Sequence, residues 1–402
     1  MLQSFQVESY KGERPIIIYG TSITAKIICY SLERFGIKPI YFADKKGHTL
    51  YMNYKVLDLK QLLEESKVKN PIILLGVTRY LREVIIQLED LGIKEYYDAC
   101  ELLEQKDGKE KFKKEGFNLE ELYESYKFYR DDILNSDKLS LFSLDLVVSE
   151  KCSLRCKQCS NLMQYYKNPK HVDLEVIKKS LESLLRKVDN IKELRILGGE
   201  PFMNPNFYKI IEWYIENPKI IKIGIYTNAT IFPQQVKLNY FKHKKIIMYL
   251  SDYGDLSLCL QDWIEFCEKN QISYRINRME KWHDCGKLER RNYTYDKCKE
   301  IYATCECNNL FTLLHGKLYN CPYAANAINL GALTKEEAER DYLDFDQEEI
   351  EYTIEEIRQF LFKREVLNSC YFCSGRNYKN GSVLPYEQTE EPLLYKRAEI
   401  TV

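Results

Sequence analysis

The chain has 402 residues and is 45% hydrophobic, enough apolar material for two or three domains with cores of their own. Its 59 basic and 60 acidic residues leave a net charge of −1, which removes the electrostatic footprint of a nucleic-acid or anionic-membrane binder. No apolar run reaches the roughly 18 residues of a membrane span. The stretch Met1–Glu8 lacks the basic and apolar regions of a signal peptide, so a cytoplasmic location is expected. There, 14 cysteines in uneven groups point to metal or cluster ligation and not to disulfides.

Residues 1–100 alternate between strands and helices. Pro15–Gly20, Lys38–Asp44 and Pro71–Gly76 read as short buried strands, with helical stretches after the first and third. This alternation predicts a small parallel sheet, a Rossmann-like domain. Asp44 ends the second strand 24 residues after Gly20, about where such a fold holds its ribose-binding acid. The glycine fingerprint is nearly missing, because Ser22 and Ala25 stand where its second and third glycines belong. A docking or scaffolding role is therefore expected ahead of a bound nucleotide. Residues 101–140 are dense in Lys and Glu and read as an exposed helical linker.

A second series runs over 141–290. Strands are expected at 144–148, 193–197, 221–226, 245–250 and 272–277, with helices at about 173–187, 206–216, 233–242 and 259–269. Repeated βα units of this length predict a parallel barrel or part of one, whose site lies at the C-terminal ends of the strands. Three cysteines follow the first strand as Cys152-x3-Cys156-x2-Cys159, and the second leads into Gly198-Gly199-Glu200-Pro201. Three thiolates can hold three irons of a four-iron cube and leave the fourth open to a small molecule. Structural zinc usually wants four ligands, often as two Cys-x2-Cys pairs.

Together the triad and the Gly-Gly-Glu-Pro turn resemble the radical S-adenosylmethionine (SAM) superfamily. The resemblance implies a central partial (β/α)6 barrel and a [4Fe-4S] cluster on Cys152, Cys156 and Cys159. It implies that SAM is held by the backbone of Gly198, Gly199, Glu200 and Pro201, with Glu200 facing its amino group. Thr227, Asn228 and Ser251 at the following strand ends are the positional candidates for its ribose and carboxylate. Gln158 departs from the pattern, since the residue before the third cysteine is usually aromatic. The first block resembles, in pattern only, the small Rossmann-like modules attached to sugar-modifying enzymes of bacterial surface glycans.

Residues 291–402 are crowded with cysteines. Asn309–Asn320 reads as a hairpin with His315-Gly316 at its turn, and Cys321 follows it. The spacing Cys305-x10-Gly316-x4-Cys321, with Cys370-x2-Cys373 later, resembles the opening of a SPASM or twitch extension. This implies an auxiliary [4Fe-4S] cluster on Cys321, Cys370, Cys373 and either Cys305 or Cys307, in the shorter twitch form. A zinc site satisfies the same spacing. Cys298 reads as a helix cysteine, and Cys29, Cys100, Cys259 and Cys267 as ordinary buried ones. Trp282–Gly286 follows the last strand and carries Cys285, a candidate hydrogen-atom donor, and His283, a candidate base; a structural loop is the competing reading.

Three functions are expected, in this order. The first is oxidation or epimerisation of a carbohydrate-like or nucleotide-linked small molecule after hydrogen abstraction by a 5′-deoxyadenosyl radical, with a flavodoxin- or ferredoxin-type electron donor. The second is modification of a ribosomally made peptide, against which the lack of a winged-helix segment before the barrel counts. The third is a non-enzymatic redox sensor, which would not need Gly-Gly-Glu-Pro.

Overall fold

A computed structural model describes residues 2–45, 49–104, 119–135, 137–278, 281–347, 349–376 and 381–396. The chain divides into two compact units, Met1–Asp137 and Lys138–Val402.

The first unit is built on strands β1 (Leu2–Ser4), β2 (Ile16–Tyr19), β3 (Tyr41–Ala43), β4 (Leu50–Tyr51), β5 (Tyr54–Leu57), β6 (Ile72–Leu75) and β7 (Tyr96–Asp98). They lie in the order β1-β7-β6-β2-β3-β5-β4, parallel except for β4 against β5. Every residue of β2 and β6 is buried, as unbroken apolar runs must be when helices cover both faces. The run β5-β3-β2-β6-β7 is a Rossmann order, reversing direction between β2 and β6.

The expected exposed linker is corrected. Its residues 105–118 lie outside the described residues, but Leu119–Leu134 is a helix belonging to the first unit. Tyr126 of this helix is fully buried in the core. Its hydroxyl donates to the Leu75 carbonyl at 2.9 Å and accepts from the Ala99 amide at 3.0 Å. Arg130 pairs with buried Asp98 of β7, and Arg82 with Asp132. A charged sequence face hid a helix whose other face is core.

The second unit holds β8 (Ser140–Ser149), β9 (Asn190–Gly198), β10 (Ile220–Thr227), β11 (Ile246–Asp252), β12 (Ser273–Arg278), β13 (Trp282–His283), β14 (Thr312–Leu314), β15 (Lys317–Tyr319), β16 (Tyr342–Asp344) and β17 (Ser382–Val383). Eight of them form one mixed sheet, β12-β11-β10-β9-β8-β14-β15-β16. The run from β12 to β8 is parallel, and β14 joins β8 in parallel before the antiparallel β15 and β16. This is the α/β architecture of a partial barrel, left open among the described residues. The sixth parallel strand does not follow β12; it comes from the hairpin and adds at the opposite edge, beside β8.

Helices Leu174–Lys187, Phe207–Tyr214 and Leu260–Asn270 connect the parallel strands, while 235–242 is a 3₁₀ run where an α-helix was expected. One sheet face carries the buried Leu144, Leu146, Leu194, Ile196, Ile225 and Met248. Alternation puts Asp145, Glu193, Arg195, Tyr226 and Tyr249 on the other face. There Arg195 pairs with Asp145 and lies 5.6 Å from the Tyr226 ring, which stacks on Tyr249 at 4.2 Å. The cysteine-rich C-terminal block does not separate from the barrel; 138–402 is one unit.

Candidate functional site

β8 ends in a turn pinned by Ser149, whose hydroxyl accepts from the Lys151 amide at 3.0 Å and bonds His171 Nδ1 at 3.0 Å. The cysteine loop begins there and docks on the Gly-Gly-Glu-Pro turn at the end of β9. Gly199 N–H donates to the Ser149 carbonyl and Glu200 N–H to the Lys151 carbonyl, both at 2.8 Å. A Cβ on Gly198 would lie 2.3 Å from the Ser149 carbonyl oxygen. One on Gly199 would lie 2.3 Å from that of Lys151 and 2.8 Å from Cys152 Cβ. These glycines let two strand ends touch, so the cysteine loop itself requires them.

Glu200 is a buried link between strand ends. Its carboxylate is fully buried and accepts from the Thr227 hydroxyl and the Asn228 amide, each at 2.9 Å, and from the Phe202 amide at 3.2 Å. It ties the end of β9 to the end of β10. Burial pushes this carboxyl up to about 7 against the pull of those donors. Thr227 is likewise turned into this knot.

The remaining strand ends point at the thiols. Asn228 Nδ2 donates to Cys152 Sγ at 3.6 Å and to Ser153 Oγ at 3.1 Å. Ser251 hydrogen-bonds Tyr253, a half-buried phenol whose proton affinity is raised first by desolvation and then by Cys156, Cys159 and Cys152. Tyr253 in turn packs edge-on against Trp282 at 5.9 Å. Tyr253 was not anticipated, although it lies one residue past β11, at a strand end where such sites collect.

The C-terminal segment was also not anticipated. It runs antiparallel to the cysteine loop: Lys157 N–H donates to the Glu387 carbonyl at 2.7 Å and Thr389 N–H to the Arg155 carbonyl at 2.9 Å. Between them Gln388 accepts from the Arg155 amide at 2.6 Å and donates through Nε2 to Cys156 Sγ at 3.2 Å. Backbone amides of Asn161 and Met163 reach Cys159, and that of Leu154 reaches Cys152. Each sulfur of the triad thus meets N–H donors. Burial raises all three thiols, Cys159 to about 11, so they ionise only against a positive partner. Three thiols with N–H donors, Cys156 buried and Cys152 and Cys159 half-buried, suit a four-iron cube with one open iron.

A second group of thiols lines a small cavity with Ser160 and Arg376: Cys285, Cys305, Cys307, Cys321, Cys370 and Cys373. Cys321 caps the helix Pro322–Asn329. The Arg376 amide donates to Cys305 at 3.4 Å and its guanidinium to Cys307 at 3.8 Å, while the Gly375 amide donates to Cys373 at 3.2 Å. Among the described residues, no three cysteine, histidine or acidic groups converge closely enough for a single metal ion. A four-iron cube spaces its thiolates more widely than one tetrahedral zinc does. Cys298 also proves buried, but on the helix Tyr295–Thr304 and outside this cavity lining.

The side chains of Cys285 and His283 turn to different neighbours. The Cys285 thiol donates to the His283 carbonyl at 3.8 Å and interacts with the Cys373 side chain. His283 lies in the β13–β17 pair, with Nε2 3.6 Å from a Glu306 carboxylate oxygen. The hairpin turn is tied back to the first site: His315, at φ +46, meets the buried Glu150 carboxylate at 2.7 Å, as does Asn329.

In the first unit the candidate crevice closes on itself. A Cβ on Gly20 would lie 2.7 Å from Val77 and 2.8 Å from the Gly76 carbonyl, and the residue sits at φ +118. Ser22 caps the helix Ile23–Arg34 and donates to the Gly76 carbonyl at 2.8 Å. Asp44 accepts from the Thr21 amide at 3.1 Å and its hydroxyl at 2.8 Å. Packing alone thus accounts for the glycine.

Among known proteins, residues 146–256 match the Radical SAM superfamily. The GTP 3′,8-cyclase of Clostridium acetobutylicum is 33% identical over 95 residues, 23% of this chain and 29% of that protein. The GTP 3′,8-cyclase of Campylobacter lari is 30% identical over 99 residues, again 29% of its length. The chain therefore spans under a third of the curated relatives it matches. Among solved structures, anSMEcpe with bound AdoMet overlaps 62% of this chain and 93% of its own at 14% identity and a TM-score of 0.39. BtrN in complex with AdoMet and 2-DOIA overlaps 64% and 100% at 16% identity and a TM-score of 0.35.

Proposed function

We propose that this chain, which carries a radical SAM domain over residues 146–256, is an enzyme that cleaves SAM reductively at a [4Fe-4S] cluster held by Cys152, Cys156 and Cys159. Members of that superfamily use this cluster and SAM. When bound, they supply a 5′-deoxyadenosyl radical able to take a hydrogen atom from substrate. The observation that carries the reading is the convergence, at parallel strand ends, of three N–H-bonded thiols with Asn228 and Tyr253.

The residues divide the work. Gly198 and Gly199 hold the cysteine loop against β9, and Glu200 with Thr227 fixes the end of β10. Asn228, Ser251 and Tyr253 present the polar and aromatic groups nearest the triad, where SAM would be oriented. The polar sheet face of Asp145, Arg195, Tyr226 and Tyr249 leads up to that point and offers hydrogen bonds suited to a hydroxyl-rich small molecule. A low-potential flavodoxin or ferredoxin is the fitting electron donor.

For the second site the reading is an auxiliary [4Fe-4S] cluster on Cys321, Cys370, Cys373 and Cys305 or Cys307. It would accept the electron left when a carbinol radical becomes a ketone, the proton leaving to a base. Oxidation is favoured over epimerisation because Cys285, the one candidate hydrogen donor, is engaged with Cys373. The relatives are named for cyclising GTP, but their similarity covers too little of their length to bring that substrate here. The test is Cys321→Ala or Cys370→Ala under anaerobic reduction. SAM should still yield 5′-deoxyadenosine, while ketone formation from an alcohol substrate stops. Undiminished ketone formation by either variant would exclude the electron-accepting role.

A further inference from the structure

The cavity of the second site holds more sulfur than one cluster takes. Six thiols line it, and their contacts sort them into four corners. Cys305 accepts from the Cys307 amide at 3.4 Å and lies against its thiol, and Cys285 is joined through the Ser374 amide to the Cys373 segment and interacts with its thiol, while Cys321 caps the helix Pro322–Asn329 and Cys370 lies in the turn Asn368–Phe372. A cube offers four irons to thiolates. The corners match that number only if each pair counts once.

The backbone fixes the Cys285–Cys373 pair. The Ser374 amide, next to Cys373, donates to the Cys285 carbonyl at 3.0 Å. Gly286 turns the chain at φ +76, where a Cβ would lie 2.0 Å from the Arg291 guanidinium and 2.7 Å from Ser374 Oγ. On the other side the Asp284 amide donates to the Gly381 carbonyl at 2.9 Å, and β13 pairs with β17. The loop from Trp282 to Gly286 is clamped at both ends with the Cys285 thiol facing the cavity. Cys285 also packs in the same apolar cluster as Cys159 and Cys373, which joins the cavity to the loop of the first site by contiguous side chains.

We propose that Cys285 is a metal ligand of the second site, interchangeable with Cys373 at one corner as Cys305 is with Cys307 at another. This rests on the reading that the cavity binds a four-iron cluster. It gives the Cys285 thiol a coordinating role in place of hydrogen-atom transfer, and it makes that corner tolerant of losing either thiol.

The test uses the full chain with Cys152, Cys156 and Cys159 all changed to Ala, so that only the second site counts. After anaerobic reconstitution this parent should hold roughly four irons per chain. Cys285→Ser and Cys373→Ser should each keep the parent's iron and sulfide, whereas the double variant should lose the cluster or fall to a three-iron form visible by electron paramagnetic resonance. Alanine versions repeat the comparison without a hydroxyl able to ligate, and thermal melting of each variant reports its folding. Loss of the cluster from Cys373→Ser alone, or full iron in the double variant, overturns the shared corner. A parent without iron overturns the cluster reading itself, and the ligand assignment with it.

Discussion

Both units are parallel sheets wrapped by helices, yet they end their strands in opposite ways. In the first, the groups at the crevice between β2 and β6 satisfy one another: Ser22 reaches the Gly76 carbonyl, Asp44 takes Thr21, and Thr24 meets Thr78 at 2.7 Å. In the second, the loops after β8, β10 and β11 bring three thiols, an amide and a phenol near one another, and N–H groups donate to the sulfurs. Polar groups that pair among themselves are already satisfied, whereas thiols under N–H donors suit a partner with positive charge. Like folds thus end their strands in unlike chemistry.

Breaking the second arrangement should have the larger effects. Gly199→Ala puts a Cβ 2.3 Å from the Lys151 carbonyl and displaces the cysteine loop. A shift of about 1 Å at a reacting centre costs on the order of a hundredfold, and formation of 5′-deoxyadenosine should fall at least that far. Gln388→Leu removes the side-chain donor to Cys156 and the side-chain acceptor of the Arg155 amide, and leaves the backbone hydrogen bonds of the strap in place. Hydrogen bonds to cluster sulfur raise its potential. The variant's first cluster should therefore reduce at a more negative potential, with SAM cleavage about tenfold slower, the low end for outer-shell partners. Potentiometry followed by electron paramagnetic resonance would show the shift; an unchanged midpoint would leave the strap a purely mechanical part.

Glu200 sharpens the comparison through pH. Burial raises its folded pKa to about 7, above the roughly 4.3 of an unfolded glutamate. The proton is held more tightly in the folded state, so this contribution is full below about pH 4.3 and is lost as pH rises through 7. Melting temperature should fall between pH 5 and 8 more steeply in the wild type than in Glu200→Gln. Equal slopes would mean the carboxyl ionises without cost. The smallest effect belongs to the first unit. Ser22→Ala removes the cap on the helix Ile23–Arg34 at about 1 kcal/mol and should leave SAM cleavage at the wild-type rate.

What the sequence made legible was local. Apolar runs located β9 and β10, though each extends beyond the expected range, to Asn190–Gly198 and Ile220–Thr227. The spacing of Cys152, Cys156 and Cys159 is a motif, and the hairpin turned at His315-Gly316 as expected because both residues adopt positive φ. Partners distant in sequence stayed hidden. Nothing in residues 312–314 announces that β14 pairs with β8, because strand partners are chosen by the folded sheet. Gln388 acts on Cys156 from 232 residues away as a single glutamine with no pattern around it. The partners of Glu200 stayed hidden as well, because they belong to Thr227 and Asn228 at the end of another strand. Cys285 carried one usable hint, the glycine after it, which marks a turn that brings its thiol beside Cys373.

The central claim is an open iron held by Cys152, Cys156 and Cys159. The most direct test is the electron paramagnetic resonance spectrum of the reduced, reconstituted chain before and after SAM is added. The expected result is a SAM-dependent change in one cluster signal of the wild type, with about eight irons per chain when both sites are filled. The change should vanish, with roughly half the iron, when all three cysteines are replaced by Ala. A spectrum indifferent to SAM, or a SAM response that survives in the triple variant, would contradict it.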